Sequence, residues 1–304
     1  MTDEYSPPFS ITAKVIALTA EIGEKIGRIG NVSELTVSRK TRHDNRLRSI
    51  HSSLAIENNS LTLGQVSDII NGIRVYGPIQ DIKEVKNAHE AYNRMPEFDP
   101  YKTKDLLTAH GLISAGLIKD SGRFRSSGVG IFAGETLIHM APPAKLVPKL
   151  IGDLFDWVKV TDVHPLVKSC IFHYEFEFIH PFSDGNGRTG RLWHTILLRK
   201  WKPVFEWVPI ESMIYRHQNE YYEAIGESTN KTDAGIFVEF MLGIINEALD
   251  EFMTAQDTAH DADPESARIN GLIKCLGNED LSFAEMMSRL ELSHRTSFRE
   301  NYLN

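Results

Sequence analysis

The chain has 304 residues, 41% of them hydrophobic and 24% charged, with a formal charge of −8 at pH 7. That balance belongs to a globular protein with one large core or two smaller ones, and the negative sign argues against broad affinity for nucleic acid. Two cysteines without CxxC spacing, Cys170 and Cys275, argue against a disulfide framework or a structural zinc site. No apolar run of about eighteen residues offers a membrane span, and no signal peptide is read in Met1-Thr2-Asp3-Glu4, so a reducing cytoplasm is the expected compartment.

Residues 1–9, which include Pro7 and Pro8, are expected to be a loosely held arm. Val15, Leu18, Ile22 and Ile26 then recur at helical spacing and predict a packing helix ending near Gly30. Leu47, Ile50 and Leu54 mark a second helix, with Ser53 and Glu57 four apart on one face and Asn58-Asn59 to stop it. Alone, Ser-x-x-x-Glu-Asn is an ordinary helix ending. Arg74 to Pro78 reads as a loop, and Ile82, Val85, Ala88 and Tyr92 restart a helix that runs up to Pro96. Leu106, Leu107, His110 and Ile113 make another, in which His110 is expected to pack or bond in the core. Val129, Ile131 and Phe132 before Ala133-Gly134-Glu135, and Leu137, Ile138 and Met140 after it, have the pattern of a β-hairpin, ended by Pro142-Pro143. Helical spacing resumes at Leu146, Leu150, Ile151 and Leu154, and again from Val163 to Ile179.

The densest chemistry follows, in His180-Pro181-Phe182-Ser183-Asp184-Gly185-Asn186-Gly187-Arg188-Thr189-Gly190-Arg191. Leu192, Ile196 and Leu197 place a helix start near Gly187 or Arg188. A glycine-rich turn entering a helix aims unpaired N–H groups at one point, where the helix dipole also favours an anion. Arg188 and Arg191, three apart, share one face of the first turn and can converge on that anion. Asp184 would repel a polyphosphate unless an Mg²⁺ ion lay between them, and His180 can accept a proton near neutral pH. Gly185-x-Gly187-x-x-Gly190 also matches a dinucleotide fingerprint, with Glu211 at a suitable distance, but no strand runs into its first glycine. A Walker A loop would need Gly-Lys-Ser/Thr, which is absent.

This run resembles the Fic motif, H-x-F-x-D/E-G-N-G-R-x-x-R, at every defined position, and His173 to Ile179 looks like the family's apolar approach. The resemblance implies a mainly α fold: a helical Fic core with a β-hairpin flap, N-terminal helices and a truncated helix-turn-helix-like C-terminal module. It implies transfer of AMP from ATP to a hydroxyl side chain (Ser, Thr or Tyr) of a target protein, with ATP as substrate and Mg²⁺ as cofactor. His180 would be the general base and Asp184 the Mg²⁺ ligand. Nucleotide binding would fall to Gly185, Asn186, Gly187, Arg188, Gly190 and Arg191, and more loosely to Tyr222 and Asn230 as adenine neighbours. The Doc subgroup, which phosphorylates, departs from this pattern in the glycine stretch. Ser53-Leu54-Ala55-Ile56-Glu57-Asn58 resembles the inhibitory motif of the class that carries it N-terminal to the core (class II). There Ser53, Glu57 and Asn58 would form a brake in which Glu57 pairs with Arg191, and in some relatives the same glutamate helps remove AMP. Ile138 and His139 of the flap would meet the target's backbone.

Phe237, Phe240, Met241, Ile244, Ile245 and Leu249 predict the last helix of the core. The expected organisation is an N-terminal helical region over 1–95, a catalytic core over 96–252, a linker over 253–267 and the C-terminal module over 268–304. Three Arg against three Glu in residues 281–304 make a weak electrostatic case for DNA. The competing readings are a nucleotide-sensing transcriptional regulator that binds DNA through this module, and a Fic enzyme using UTP or a phosphocholine donor. Homo-oligomerisation is left open by the sequence.

Overall fold

In this computed structural model the described residues are 5–29, 39–133 and 136–262, by backbone alone at 39, 131–139 and 257–262. The helices before the strands are α1 (Ala13–Ile29), α2 (Arg39–Ala55), α3 (Leu63–Ile70), α4 (Ile79–Asn93) and α5 (Thr103–Ile113). After them come α6 (Val147–Val160), α7 (Pro165–Ile179), α8 (Asn186–Trp201), α9 (Ile210–Arg216), α10 (Gln218–Lys231) and α11 (Gly235–Ala262). Two short strands, β1 (Gly130–Ala133) and β2 (Thr136–Met140), pair antiparallel, with Gly130 opposite Met140 and an irregularity between Ile131 and Phe132.

α7 is the centre of the core. Leu166, Val167, Cys170, Ile171, Phe172, Phe176 and Ile179 are all buried, and a helix apolar on every side must be enclosed on every side. α8, α6 and α1 supply the enclosure. Phe172 meets Phe155 of α6 edge-on and stacks with Phe176, while Phe155 also reaches Trp193 of α8. Burying each such side chain contributes roughly 1.5–3 kcal/mol.

α2 is held in another way. Leu47, Ile50 and Leu54 are buried, but most of its attachments are polar. Asn45 Nδ2 donates to Trp207 O at 3.0 Å, Arg46 pairs with Glu206 at 3.0 Å, and Ser52 Oγ meets Ser212 Oγ at 3.2 Å. The joint is Glu211, 1% exposed, whose carboxylate accepts from Ser49 Oγ (2.8 Å), Tyr92 Oη (2.8 Å) and Thr195 Oγ1 (3.2 Å). Three donors from α2, α4 and α8 satisfy a carboxylate that burial would otherwise penalise heavily. The residue considered for a dinucleotide's ribose is thus a structural joint.

Three expectations change. Residues 5–10 are fastened along the core rather than loose: Tyr5 Oη donates to Glu175 at 2.9 Å and Ala234 N–H donates to Pro8 O at 2.9 Å. Phe9 meets Trp157 edge-on, and adjacent prolines leave the segment little freedom to lose on docking. The stretch from residue 253, expected to be a linker or a frayed helix end, is helical as far as Ala262, since no glycine or proline interrupts the sequence before Pro264. α3 was not foreseen, although its start carries a capping box: Gln65 N–H donates to Thr62 Oγ1 at 3.3 Å and Thr62 N–H to Gln65 Oε1 at 2.9 Å.

The chain divides into two compact units, Met1–Asp250 and Glu251–Asn304, and of the second only the end of α11 is described. The helix-turn-helix-like reading of 268–304 lies outside the described residues. Among the described residues no helix is long and apolar enough to cross a membrane.

Candidate active site

His180 follows the last residue of α7 in a left-handed conformation, φ 49°, which turns the chain sharply out of the helix. Its N–H still closes the last turn on Phe176 O at 2.9 Å. The conformation is held by Arg125, which is 3% exposed. Arg125 Nε donates to His180 O (2.7 Å), Nη2 to Ile179 O (3.2 Å) and Pro142 O (2.5 Å), and Nη1 to Ser127 O (2.9 Å). Its own N–H donates to Pro181 O at 3.0 Å. One guanidinium therefore caps the negative end of α7 and joins it to the exit of β2. The His180 ring places Nδ1 3.3 Å from Glu177 O. A proton on Nδ1 donated there leaves the basic lone pair on Nε2.

The loop after His180 is clasped from both sides. Asn186 Oδ1 accepts from Phe182 N–H at 2.8 Å and its Nδ2 donates to Phe182 O at 2.9 Å, so this side chain shapes the loop. His110 stacks on the Phe182 ring, with centroids 3.6 Å apart. Gly122 N–H donates to its Nδ1 at 3.0 Å, so the proton resides on Nε2 and is donated to Asp184 O, also at 3.0 Å. Burial holds this imidazole below its usual value, in keeping with a neutral ring. His110 is buried as expected, but what it bonds is the motif loop itself. Gly185, at φ +80°, supplies the left-handed step into α8, which begins at Asn186, slightly ahead of the predicted start.

Arg188 and Arg191 do not converge on one partner. Arg188 lies between Asp184 Oδ1 (Nη2, 3.2 Å) and Glu84 Oε1 (Nη1, 3.0 Å). Arg191, 1% exposed, donates Nε to Ser53 Oγ (3.2 Å) and Nη2 to both Ser53 O (2.8 Å) and Glu57 Oε1 (2.7 Å). Burial works against its charge, but Glu57 outweighs it and raises the guanidinium pKa further. Ser53 and Glu57 are not on one helical face, because α2 stops at Ala55. Glu57 sits in the turn beyond, where Asn58 takes φ 66°. From there its carboxylate rests on the first turn of α8, so close that a Cβ on Gly187 would lie 2.3 Å from Glu57 Oε1. That turn is where a helix start favours an anion.

Other expected residues are placed differently. A Cβ on Gly190 would lie 2.5 Å from Glu177 Oε1 and 3.0 Å from Phe176, so this glycine lets α8 close on α7. Half-buried Tyr222 lies within electrostatic reach of Glu57 and Arg191, whereas Asn230, at the other end of α10, is exposed. The side chains of Ile138 and His139 lie outside the described residues. Glu177, to which the sequence assigns no role, is buried, with no hydrogen-bond partner for Oε1 among the described residues and Oε2 3.9 Å from His180 Nδ1. Burial pushes its carboxyl up to about 8.

For a cation, the described residues hold no cluster of three or more His, Cys, Asp or Glu side chains. Asp184 stands 53% exposed, with Oδ1 engaged by Gly185 N–H at 2.6 Å and by Arg188. One carboxylate supplemented by phosphate and water oxygens is a donor set that suits Mg²⁺.

Such a helix start, carrying two arginines beside a loop that begins with an imidazole at the end of α7, defines the class as a helical domain with its polar chemistry gathered between α7 and α8. Comparison with known proteins agrees. The Fic/DOC family pattern matches residues 100–198, and the Fic-like C-terminal domain (filamentation induced by cAMP protein) matches residues 267–304. The crystal structure of a Fic family protein from Desulfovibrio desulfuricans G20 is 50% identical, with a TM-score of 0.80 over 99% of this chain and 90% of that one. The chain belongs to the Fic family. Fic-1 (residues 134–508) from Caenorhabditis elegans shares the fold at 22% identity and a TM-score of 0.66, over 81% of this chain and 74% of that one. Protein adenylyltransferase Fic of Nematostella vectensis is 28% identical over 219 residues, which are 68% of this chain and 48% of the relative. The chain thus spans about half the length of the curated relatives it matches.

Proposed function

We propose that this chain is a protein adenylyltransferase of the class with an N-terminal brake, and that Glu57 is the brake. The observation that carries the reading is the Glu57 carboxylate on Arg191 at 2.7 Å, seated on the first turn of α8. A site built for an anion holds the chain's own. ATP entering while Glu57 remains would lose the Arg191 contact to its terminal phosphate and lie misaligned for in-line attack.

With Glu57 withdrawn, the backbone of Gly185 to Gly187 would cradle the phosphates, and Arg188 and Arg191 would hold them from the helix side. Mg²⁺ would be held by Asp184 and would offset phosphate charge. His180 Nε2 takes the proton of the target's Ser, Thr or Tyr hydroxyl as that oxygen bonds to the α-phosphorus. The bond from the α-phosphorus to the bridging oxygen breaks, and pyrophosphate leaves with the electron pair. β1 and β2, joined to the end of α7 by Arg125, are suited to pair with the target's backbone as an added strand, with Ile138 and His139 along it.

The test uses the Glu57→Gly chain with ATP, Mg²⁺ and cell lysate, read by mass spectrometry. We expect AMP on hydroxyl side chains of this chain and of a target, about tenfold or more above the parent. Adding His180→Ala should remove at least about a hundredfold of it while ATP still binds. Bound ATP with no transfer in Glu57→Gly would overturn the reading. Transfer of UMP or phosphocholine instead would favour another donor.

A further inference from the structure

We propose that Glu84 is the positioning residue for Arg188, aiming its guanidinium at the nucleotide's phosphates, and that Asn59 ties this carboxylate to the turn carrying Glu57. The inference rests on the nucleotide-transfer reading above. Glu84 is on α4, outside the residues that match the Fic/DOC pattern, and no part of the motif points to it.

Both partners are nearly enclosed, with side-chain exposures of 7% for Arg188 and 11% for Glu84. Their charges therefore depend on one another, since a buried ion left alone carries a large desolvation cost. Yet the contact is incomplete as a hydrogen bond. Nη1 lies 3.0 Å from Glu84 Oε1 but off the bonding direction, and neither Nε nor Nη1 has an acceptor among the described residues. The charge is compensated while two donor nitrogens are unspent. Buried donors of this kind call for an acceptor. The guanidinium lies against Gly185 at the start of α8, where a Cβ would stand 3.8 Å from Nη2, and a helix start favours an anion, so the fitting acceptor is a phosphate oxygen.

Asp184 cannot do the same work throughout. It holds Arg188 Nη2 at 3.2 Å, but it is also the carboxylate suited to a divalent cation. Once its charge is shared with a cation, Glu84 is the remaining fixed counter-charge on Arg188. Glu84 is itself held, because Asn59 Nδ2 donates to its Oε2 at 2.9 Å and to Asp81 O at 3.2 Å. Asn59 N–H closes on Leu54 O at 3.1 Å, and Ser60 N–H bonds Asp81 Oδ2 at 2.9 Å. The turn that seats Glu57 on Arg191 is thereby pinned to the helix that aims Arg188. Two carboxylates from the N-terminal region act oppositely: Glu57 fills an anion's place, and Glu84 keeps donors ready for one.

The experiment compares Glu57→Gly with Glu57→Gly/Glu84→Gln by calorimetric titration of Mg·ATP and of adenosine, which lacks phosphate. Glutamine keeps a partner for Asn59 and removes only the charge. We expect the ATP dissociation constant to rise about tenfold, the loss of one charge-assisted contact, with adenosine affinity unchanged. The KM for ATP should rise more than kcat falls. Glu57→Gly/Asn59→Ala should show the same selective loss at about threefold, and it decides the matter should the Glu84 variant fail to fold. Unchanged ATP affinity, or equal losses for ATP and adenosine, would overturn the proposal. A Glu57→Gly chain that binds ATP and transfers nothing sinks the transfer reading alone, because these affinities can still be compared.

Discussion

α7 and α2 end at the site in the same manner and are anchored by opposite means. Each stops just short of its functional residue and turns through a left-handed position, His180 at φ 49° and Asn58 at φ 66°. One turn delivers the proposed base, His180, and the other the carboxylate proposed to block the site, Glu57. α7 is enclosed by aromatic and aliphatic side chains, whereas α2 hangs on Asn45, Arg46, Ser49, Ser52 and Ser53. Apolar burial is non-directional and is lost only by exposing surface to water. Polar contacts can be exchanged singly for water or another anion at about 1 kcal/mol net each. The proposed base thus leaves a helix built into the core, and the proposed brake is attached by contacts that a competing phosphate would be able to replace.

The largest expected effect comes from breaking the apolar side. Phe172→Ala should cost about 3–5 kcal/mol in denaturant unfolding. It should lower the melting temperature without raising transfer, because the base and the brake are lost together. Glu211→Ala attacks the polar side and leaves Ser49, Tyr92 and Thr195 without their acceptor. A cost of about 3 kcal/mol is expected, accompanied by a gain in AMP transfer at temperatures where the chain remains folded. If Glu211→Ala lost stability with no gain in transfer, α2 would not be the releasable element.

What the sequence disclosed divides along the same line. α7 and α8 were legible because periodicity and a dense motif coincide there, and the start of α8 was misjudged only slightly. The Glu57–Arg191 pair spans 134 positions, and only the family resemblance joined its ends, since nothing local links a helix ending to a distant arginine. Arg125 and Glu84 were missed for the same reason: each is an ordinary charged residue until the fold brings its partner. The packing role of Gly190 against Glu177 and Phe176 is not legible in the motif, because spacing alone does not separate a glycine that admits a phosphate from one that admits a helix. The fastening of residues 5–10 rests on contacts such as Tyr5 with Glu175, 170 positions away. Thr62-x-x-Gln65, by contrast, was a local signal that could have revealed α3.

Glu177 is a polar exception within α7, and pH sharpens the comparison there. Burial pushes its carboxyl up from the usual 4.5 to about 8, with Arg191 opposing the rise and Glu57 adding to it. The folded state therefore binds a proton that the unfolded state has released, so stability falls as pH rises from about 4.5 to about 8. Glu177→Gln has no such proton to lose. It should match the parent near pH 4.5 and exceed it at pH 8 by an amount on the order of 1–3 kcal/mol. Curves that stay parallel across this range would mean that Glu177 is ionised in the fold.

Ser53→Ala is the gentlest intervention and the most selective one. Its hydroxyl accepts from Arg191 Nε at 3.2 Å, but its carbonyl still accepts from Nη2 at 2.8 Å after the change, and Glu57 keeps its own contact. Stability should therefore fall by about 1 kcal/mol or less. If the brake works by holding Arg191 through several shared contacts, transfer should rise by about two- to threefold in the Glu57-intact chain. In a Glu57→Gly background the same substitution should add nothing, because the contact it weakens no longer opposes the phosphate. Equal gains in both backgrounds would place Ser53 in ordinary packing and leave Glu57 as the whole of the brake.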